Sequence, residues 1–304
     1  MSTTPLFDVI IPTYNNLAEL QECLQGFATQ TLTNFRVLVC VDGSTDGTIQ
    51  YLEQTTFPFP VVVLQHADKQ NHGRNPTRNL ALPFCTAPYI CFFDSDIIPD
   101  TNLLAEHHAQ VTKQQCISVG DVRYINTQTN VWAAYAQTRG KNKYHQGDII
   151  PYYYMATGNC AHNTEHFIAL GGQDPQITKY GGGDTEYAIR LHKHTGVPVV
   201  FTQRAFGTSA MNKTAAQALQ QMEEFGKTNL PYIHTKHPDV DEIFGLRTLQ
   251  ATTFKHWLVR LAVRNTIARV AERMLPILPT ALAVRALHYC VMNRILRGWK
   301  QREM

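Results

Sequence analysis

The chain has 304 residues, 44% hydrophobic and 17% charged, with 27 Lys/Arg against 24 Asp/Glu for a formal charge of +3. That composition builds a buried core and excludes wholesale disorder and collagen-like repeats. The seven cysteines (23, 40, 85, 91, 116, 160 and 290) form no C-x-x-C pair, so they read as reduced core thiols of a cytosolic chain, neither a disulfide framework nor a zinc site.

Met1–Leu6 lacks a basic patch followed by an apolar run, so no signal peptide is expected. No stretch approaches the ~20 apolar residues of a spanning helix. From Arg247 onward eleven Lys/Arg face only Glu272 and Glu303, a local +9 that leaves −6 on the first 246 residues. The asymmetry predicts two parts with different partners.

In chain order, short apolar runs alternate with helix-period segments, the pattern of a parallel sheet with crossover helices. Strands are predicted at 8–11, 36–41, 61–64, 89–93 and, later, 197–201. Leu17, Leu20, Leu24 and Phe27 fall at helical spacing behind Asn15 or Asn16, either of which can cap that helix. Further helices are expected after Asp46, up to Leu82, and through Tyr187–Leu191, whereas residues 116–155 give no clear period. The early strands end in polar residues: Pro12-Thr13-Tyr14, Asp42-Gly-Ser and Asp94-Ser95-Asp96. In open α/β sheets ligands bind at such carboxyl ends.

Four groups of residues carry chemistry. Asp94 and Asp96, two apart at a strand end, point to one side and suit a hard divalent cation and a ribose hydroxyl, or form a surface turn of paired acids. Asp42 can accept from an N–H of a planar base such as uracil, or cap the turn that follows, a task for which Asp46 is better placed. Gly73 to Arg78 enters a helix with two arginines suited to phosphate, or Arg78 pairs with Asp94 or Asp96. Asp184, after Gly181-Gly182-Gly183, can serve as a general base or as a helix cap, with Glu186 in the first turn.

Together these segments resemble the nucleotide-sugar glycosyltransferases of family two. The resemblance runs from Val9-Ile-Ile-Pro12-Thr-Tyr-Asn15 through Val41-Asp-Gly-Ser-Thr-Asp46, Asn71-x-Gly73 to Arg78-Asn79, Phe92-Phe-Asp94-Ser95-Asp96 and Gly158-Asn159 to Asp174. It ends at Asp184-x-Glu186-x-x-x-Arg190-Leu191, and covers residues 7 to 205. It implies a mixed, mostly parallel α/β sheet of GT-A type flanked by helices, and inverting transfer from a UDP-sugar to a carbohydrate, lipid-linked or other hydroxyl acceptor. The catalytic domain would span 1–210, with the donor half at 1–100 and the acceptor half at 101–210.

Carried over, Pro12, Thr13 and Tyr14 would wall the nucleoside pocket and Asp42 would pair with the base. Gly73 and Arg78 would flank base and diphosphate; Asp94 and Ser95 would face the donor. Asp96, with Asp94, would hold Mg²⁺ or Mn²⁺. Asp184 would be the base, with Gly158, Asn159, Gly182, Gly183 and Glu186 on the acceptor side. Two departures stand out: Gly183 replaces the family's common acid before the base, and Thr202–Ala210 has no late histidine for the metal. That leaves Thr208, Ser209, water, His234 or His237 as the third ligand. A catalytically impaired sugar-nucleotide-binding protein is the alternative. A nucleotidyltransferase is a weaker one, since Pro12–Asn16 is not its G-x-G loop.

The basic extension, 211–304, reads as helices over 254–275 and 281–299 around Pro276-x-x-Pro279. Its apolar stripes and basic residues predict docking on the catalytic domain, on a second subunit, or on an anionic cytoplasmic leaflet as a peripheral protein. No nucleic-acid role is expected, because the acidic front part repels a polyanion.

Overall fold

The computed structural model describes residues 4–139, 143–238, 240–244 and 265–301. They divide into two compact units: residues 1–125, 140–178 and 183–210 in the first, and 126–139, 179–182 and 211–304 in the second. The sequence carried no signal for the two short segments that join the C-terminal unit. The first half of the helix expected over 254–275, residues 254–264, lies outside the described residues.

The first unit is built on one sheet. Strands β1 (Phe7–Thr13), β2 (Phe35–Val41), β3 (Val61–Gln65) and β4 (Tyr89–Phe93) lie in the order β3-β2-β1-β4 and are all parallel. Beyond β4 follow β8 (Asn159–Asn163), β6 (Ile117–Tyr124), β9 (Val199–Ser209) and β5 (Ile98–Pro99), with β7 (Ile149–Ile150) also on β9. β4–β8 and β6–β8 are antiparallel, whereas the long β6–β9 ladder is parallel. Helices α1 (Leu17–Phe27), α2 (Thr48–Gln54), α3 (Arg74–Asn79), α4 (Leu103–Lys113), α6 (Thr164–Ala169) and α7 (Gly183–Thr195) belong to this unit.

All seven residues of β1 are buried, including Asp8 near the start of the strand. Its charge is met by Arg36 at 2.5 Å and by the N–H groups of Thr86 and Ala87, which is what a buried carboxylate requires. All seven cysteines are free and buried. Neither Asn15 nor Asn16 caps α1. Asn16 bonds Ser95 Oγ at 2.7 Å, and Asp46 caps instead, accepting from Leu17 N–H at 2.9 Å and from Thr48 Oγ1 at 2.6 Å. Burial would raise the Asp46 carboxyl, but the donors of Thr48 and Leu17 outweigh it and hold it below the usual range.

His162 on β8 is fully buried, with Nδ1 2.8 Å from Asn163 O and Nε2 3.1 Å from the Tyr187 hydroxyl. Burial lowers its pKa to about 4. The unfolded chain therefore binds a proton that the folded chain refuses between pH 6.5 and 4, and stability is lost as pH falls through that window. The loss is about 3 kcal/mol. Urea unfolding of His162→Gln should show a correspondingly flatter pH slope; an unchanged slope contradicts this assignment.

The second unit is helical: α5 (Val131–Gln137), α8 (Ala215–Lys227), α9 (Asn229–Lys236), α10 (Val240–Phe244), α11 (Asn265–Met274) and α12 (Thr280–Lys300). Asn130 explains why 126–139 sits here. Its Oδ1 caps α5 at Trp132 N–H, and its Nδ2 bonds the carbonyls of Met211 and Lys213. α8 and α12 cross at glycines: a Cβ on Gly298 would lie 2.0 Å from Glu223 O, and one on Gly226 2.1 Å from Ile295 O. Arg294 locks the crossing through Glu223 and Glu272, each at 2.6 Å.

Candidate active site

The strand tips and the start of α3 meet in the first unit. Asp42, 4% exposed, follows β2, and its carboxylate accepts from His72 N–H (2.7 Å), Gly73 N–H (3.0 Å) and Asn71 Nδ2 (3.0 Å). It therefore latches the 71–73 loop; it does not cap the turn after β2, where Asp46 does that work. Gly73 has φ +91°, and a Cβ there would lie 2.5 Å from Thr178 O, so a side chain is excluded twice over.

The next residues of α3 face Asp94. Arg78, buried, donates to Asp94 Oδ1 at 2.6 Å, and Arg74 lies 3.9 Å from Oδ2. Burial would raise the Asp94 carboxyl, but Arg74 and Arg78 hold it below the usual range. Asp96 is exposed, and its carboxyl is raised by the protein it packs against and by the Asp94 charge. Asp94 N–H donates to Gly158 O at 3.0 Å, and a Cβ on Gly158 would lie 2.9 Å from Asp94 Oδ2. Ser95 and Thr13 are tied through Asn16, which joins the tips of β1 and β4. Pro12 is buried within β1, while Tyr14 is half exposed just beyond it.

Asp184 is the second residue of α7 and not its cap; its carboxylate accepts from the hydroxyl of fully buried Thr157. Nothing in the sequence flagged Thr157, since a threonine before a glycine is an ordinary loop residue. Gly183 has a local reason: a Cβ there would come 2.7 Å from Asn75 Oδ1, which α3 holds through Asn75 Nδ2 to Asp174 O. The first turn of α3 thus touches the loop held by Asp42, the Asp94 carboxylate and the residue before Asp184. Replacing Thr157 by Val removes the donor that aims Asp184.

Three predicted acceptor-side residues are engaged in structural contacts. Asn159 is buried, its Nδ2 on the Asp121 and Ala205 carbonyls and its Oδ1 against His107 Nε2. Glu186 is buried and ion-paired with Arg190 at 2.8 Å. Gly182 belongs to the second unit, at φ +84° against Ile233 and Phe225. Among the candidates for a third metal ligand, Thr208 pairs with Ile98 in the sheet and Ser209 is buried. His234 pairs with Asp241 at 2.9 Å within the second unit, and His237 is buried there. No cluster of three His, Cys, Asp or Glu suited to a metal occurs among the described residues. A hard divalent ion held by one or two carboxylates and otherwise by phosphate oxygens and water still fits the outward Asp96 beside Asp94.

The family model described as glycosyl transferase family 2 matches residues 8–168, which span β1 through α6 and contain Asp42, Arg78, Asp94 and Asp96. The chain belongs to glycosyl transferase family 2. It is 26% identical over 248 residues to validoxylamine A glucosyltransferase of Streptomyces hygroscopicus subsp. jinggangensis, covering 71% of this chain and 58% of that one. The chain spans from 27% to 60% of the length of the curated relatives it matches first. Among solved structures, the mannosyltransferase PcManGT of Pyrobaculum calidifontis, in complex with GDP-Man and Mn²⁺, superposes with TM-score 0.63 at 16% identity, covering 99% of this chain and 89% of that one. S. aureus TarS 1-349, in complex with UDP-GlcNAc, gives TM-score 0.54 at 15% identity over 97% of this chain and 90% of that one. The family-2 chain shares their GT-A type fold.

Proposed function

We propose that this family-2 protein moves a sugar from a UDP-sugar to a hydroxyl of a carbohydrate or lipid-linked acceptor, with inversion at the anomeric carbon. One observation supports the reading: residues remote in sequence, Asp42, Arg74, Arg78 and Asp94, meet at the start of α3, and Gly183, the residue before Asp184, abuts Asn75 of that helix. Tyr14 is assigned to the base and the Asp42-held loop to its edge. Arg74 and Arg78 face the diphosphate, and Asp94 and Ser95 the ribose side.

Asp184 takes the acceptor hydroxyl proton as that oxygen attacks, while the bond from the anomeric carbon to the diphosphate oxygen breaks. One carboxylate suffices for single displacement. The arginines offset the charge that develops on the departing diphosphate. Asp96, with Asp94, would hold Mg²⁺ or Mn²⁺, which supplies Lewis-acid charge at the same oxygens. Gly158 and Gly183, both without side chains, bound the acceptor's approach.

The test is release of nucleoside diphosphate from a panel of UDP- and GDP-sugars, with and without Mn²⁺. Turnover of UDP-sugars that needs the ion supports the reading. Preference for GDP overturns the base assignment, and UDP binding without turnover over a broad acceptor panel overturns catalysis.

A further inference from the structure

The C-terminal unit carries an apolar face that the proposed catalysis does not use. On α11, Ile267, Val270 and Met274 recur at helical spacing with exposures of 52, 57 and 40%; the turn that follows exposes Ile277 at 71%, and Leu282 at the start of α12 stands at 48%. The opposite side is packed, with Ala268, Leu275, Ala283 and Leu287 buried. The stripe therefore runs along one helix and over the tip of a helical hairpin stiffened by Pro276 and Pro279. Exposed apolar side chains at this density mark an interaction surface.

The charge around the stripe selects its occupant. Arg269, Arg273 and Arg285 are exposed beside it. The only acid from 247 to 301 is Glu272, and it is neutralised by Arg294 at 2.6 Å. A second copy would bring the same exposed arginines against themselves, which like-charge repulsion opposes, whereas an anionic lipid headgroup layer complements them. No helix among the described residues is long and apolar enough to cross a membrane. We propose that the α11–α12 hairpin docks this protein on an anionic lipid surface, Ile277 and Leu282 entering the headgroup boundary and the arginines pairing with lipid phosphates.

Flotation of the full chain with vesicles of phosphatidylcholine, with and without phosphatidylglycerol, tests this. The wild type should bind only the anionic vesicles, and salt should release it. Ile277→Asp with Leu282→Asp should cut binding about tenfold or more, and Arg269→Gln with Arg273→Gln about fivefold for each charge removed. Both pairs are exposed, so thermal unfolding should stay unchanged. Equal binding to both vesicle types, no binding, or a dimer that Ile277→Asp dissolves without any vesicle binding would each overturn the proposal. Vesicle binding is read without any donor, so its outcome stands apart from that of the transferase assay.

Discussion

Replacing Asp184 by Asn is expected to lower kcat about a thousandfold, within the range contributed by a positioned general base, while UDP-sugar affinity stays within a factor of about two. The asymmetry follows from where Asp184 sits. It sits in the first turn of α7 and is aimed by Thr157, one residue from the glycine that abuts Asn75, whereas the groups assigned to the donor lie just past β1, β2 and β4 and on α3. The amide keeps the size and the Thr157 contact but accepts no proton. Calorimetric titration of the donor beside single-turnover kinetics separates the two effects. A variant retaining a tenth of wild-type kcat, or losing donor binding in parallel, would remove Asp184 from the proton transfer.

The second large effect is expected at Arg78. Its guanidinium is buried and meets Asp94 at 2.6 Å, so Arg78→Met leaves a carboxylate facing an apolar side chain, with only Arg74 at 3.9 Å to answer it. Breaking a buried pair in this way costs about 3 kcal/mol, at the low end because Asp94 keeps some solvent contact. For a unit of this size that lowers the melting temperature by roughly 6 to 12 °C. Arg78→Lys should recover part of the stability but less of the donor affinity, because an ammonium supplies a point charge without the planar fork. Differential scanning calorimetry of both variants, with and without UDP, checks this. A melting point within about 2 °C of wild type in Arg78→Met would show that the pair contributes little.

The sheet was legible where burial is complete. Stretches such as Val37–Val41 and Tyr89–Phe93 are unbroken apolar runs, and unbroken runs are what a doubly covered parallel sheet demands. β6 and the second half of β9 escaped because Gly120-Asp121 and Gln203-Arg204 interrupt the apolar pattern. They do so where the β6–β9 register shifts at a bulge between Gly120 and Asp121. The site was legible in its carboxylates and glycines, since those residue types are costly in a fold without a reason. Its supports were not. Thr157, Asn75 and Asn16 act through partners tens of residues away, and Asp46 caps a helix that precedes it in sequence. Contacts of that kind leave no local period to read. The same holds for Asn159 and Glu186: their motif suggests an acceptor, but burial and pairing with His107 and Arg190 claim them for the core.

The most direct measurement is a crystal structure of the full chain with UDP and Mn²⁺. Difference density should place the diphosphate against Arg74 and Arg78 at the start of α3, the metal on Asp96, and the base beside Tyr14 and the Asp42-held loop. Nucleotide bound away from α3, or Asp184 turned from the diphosphate, would contradict the account.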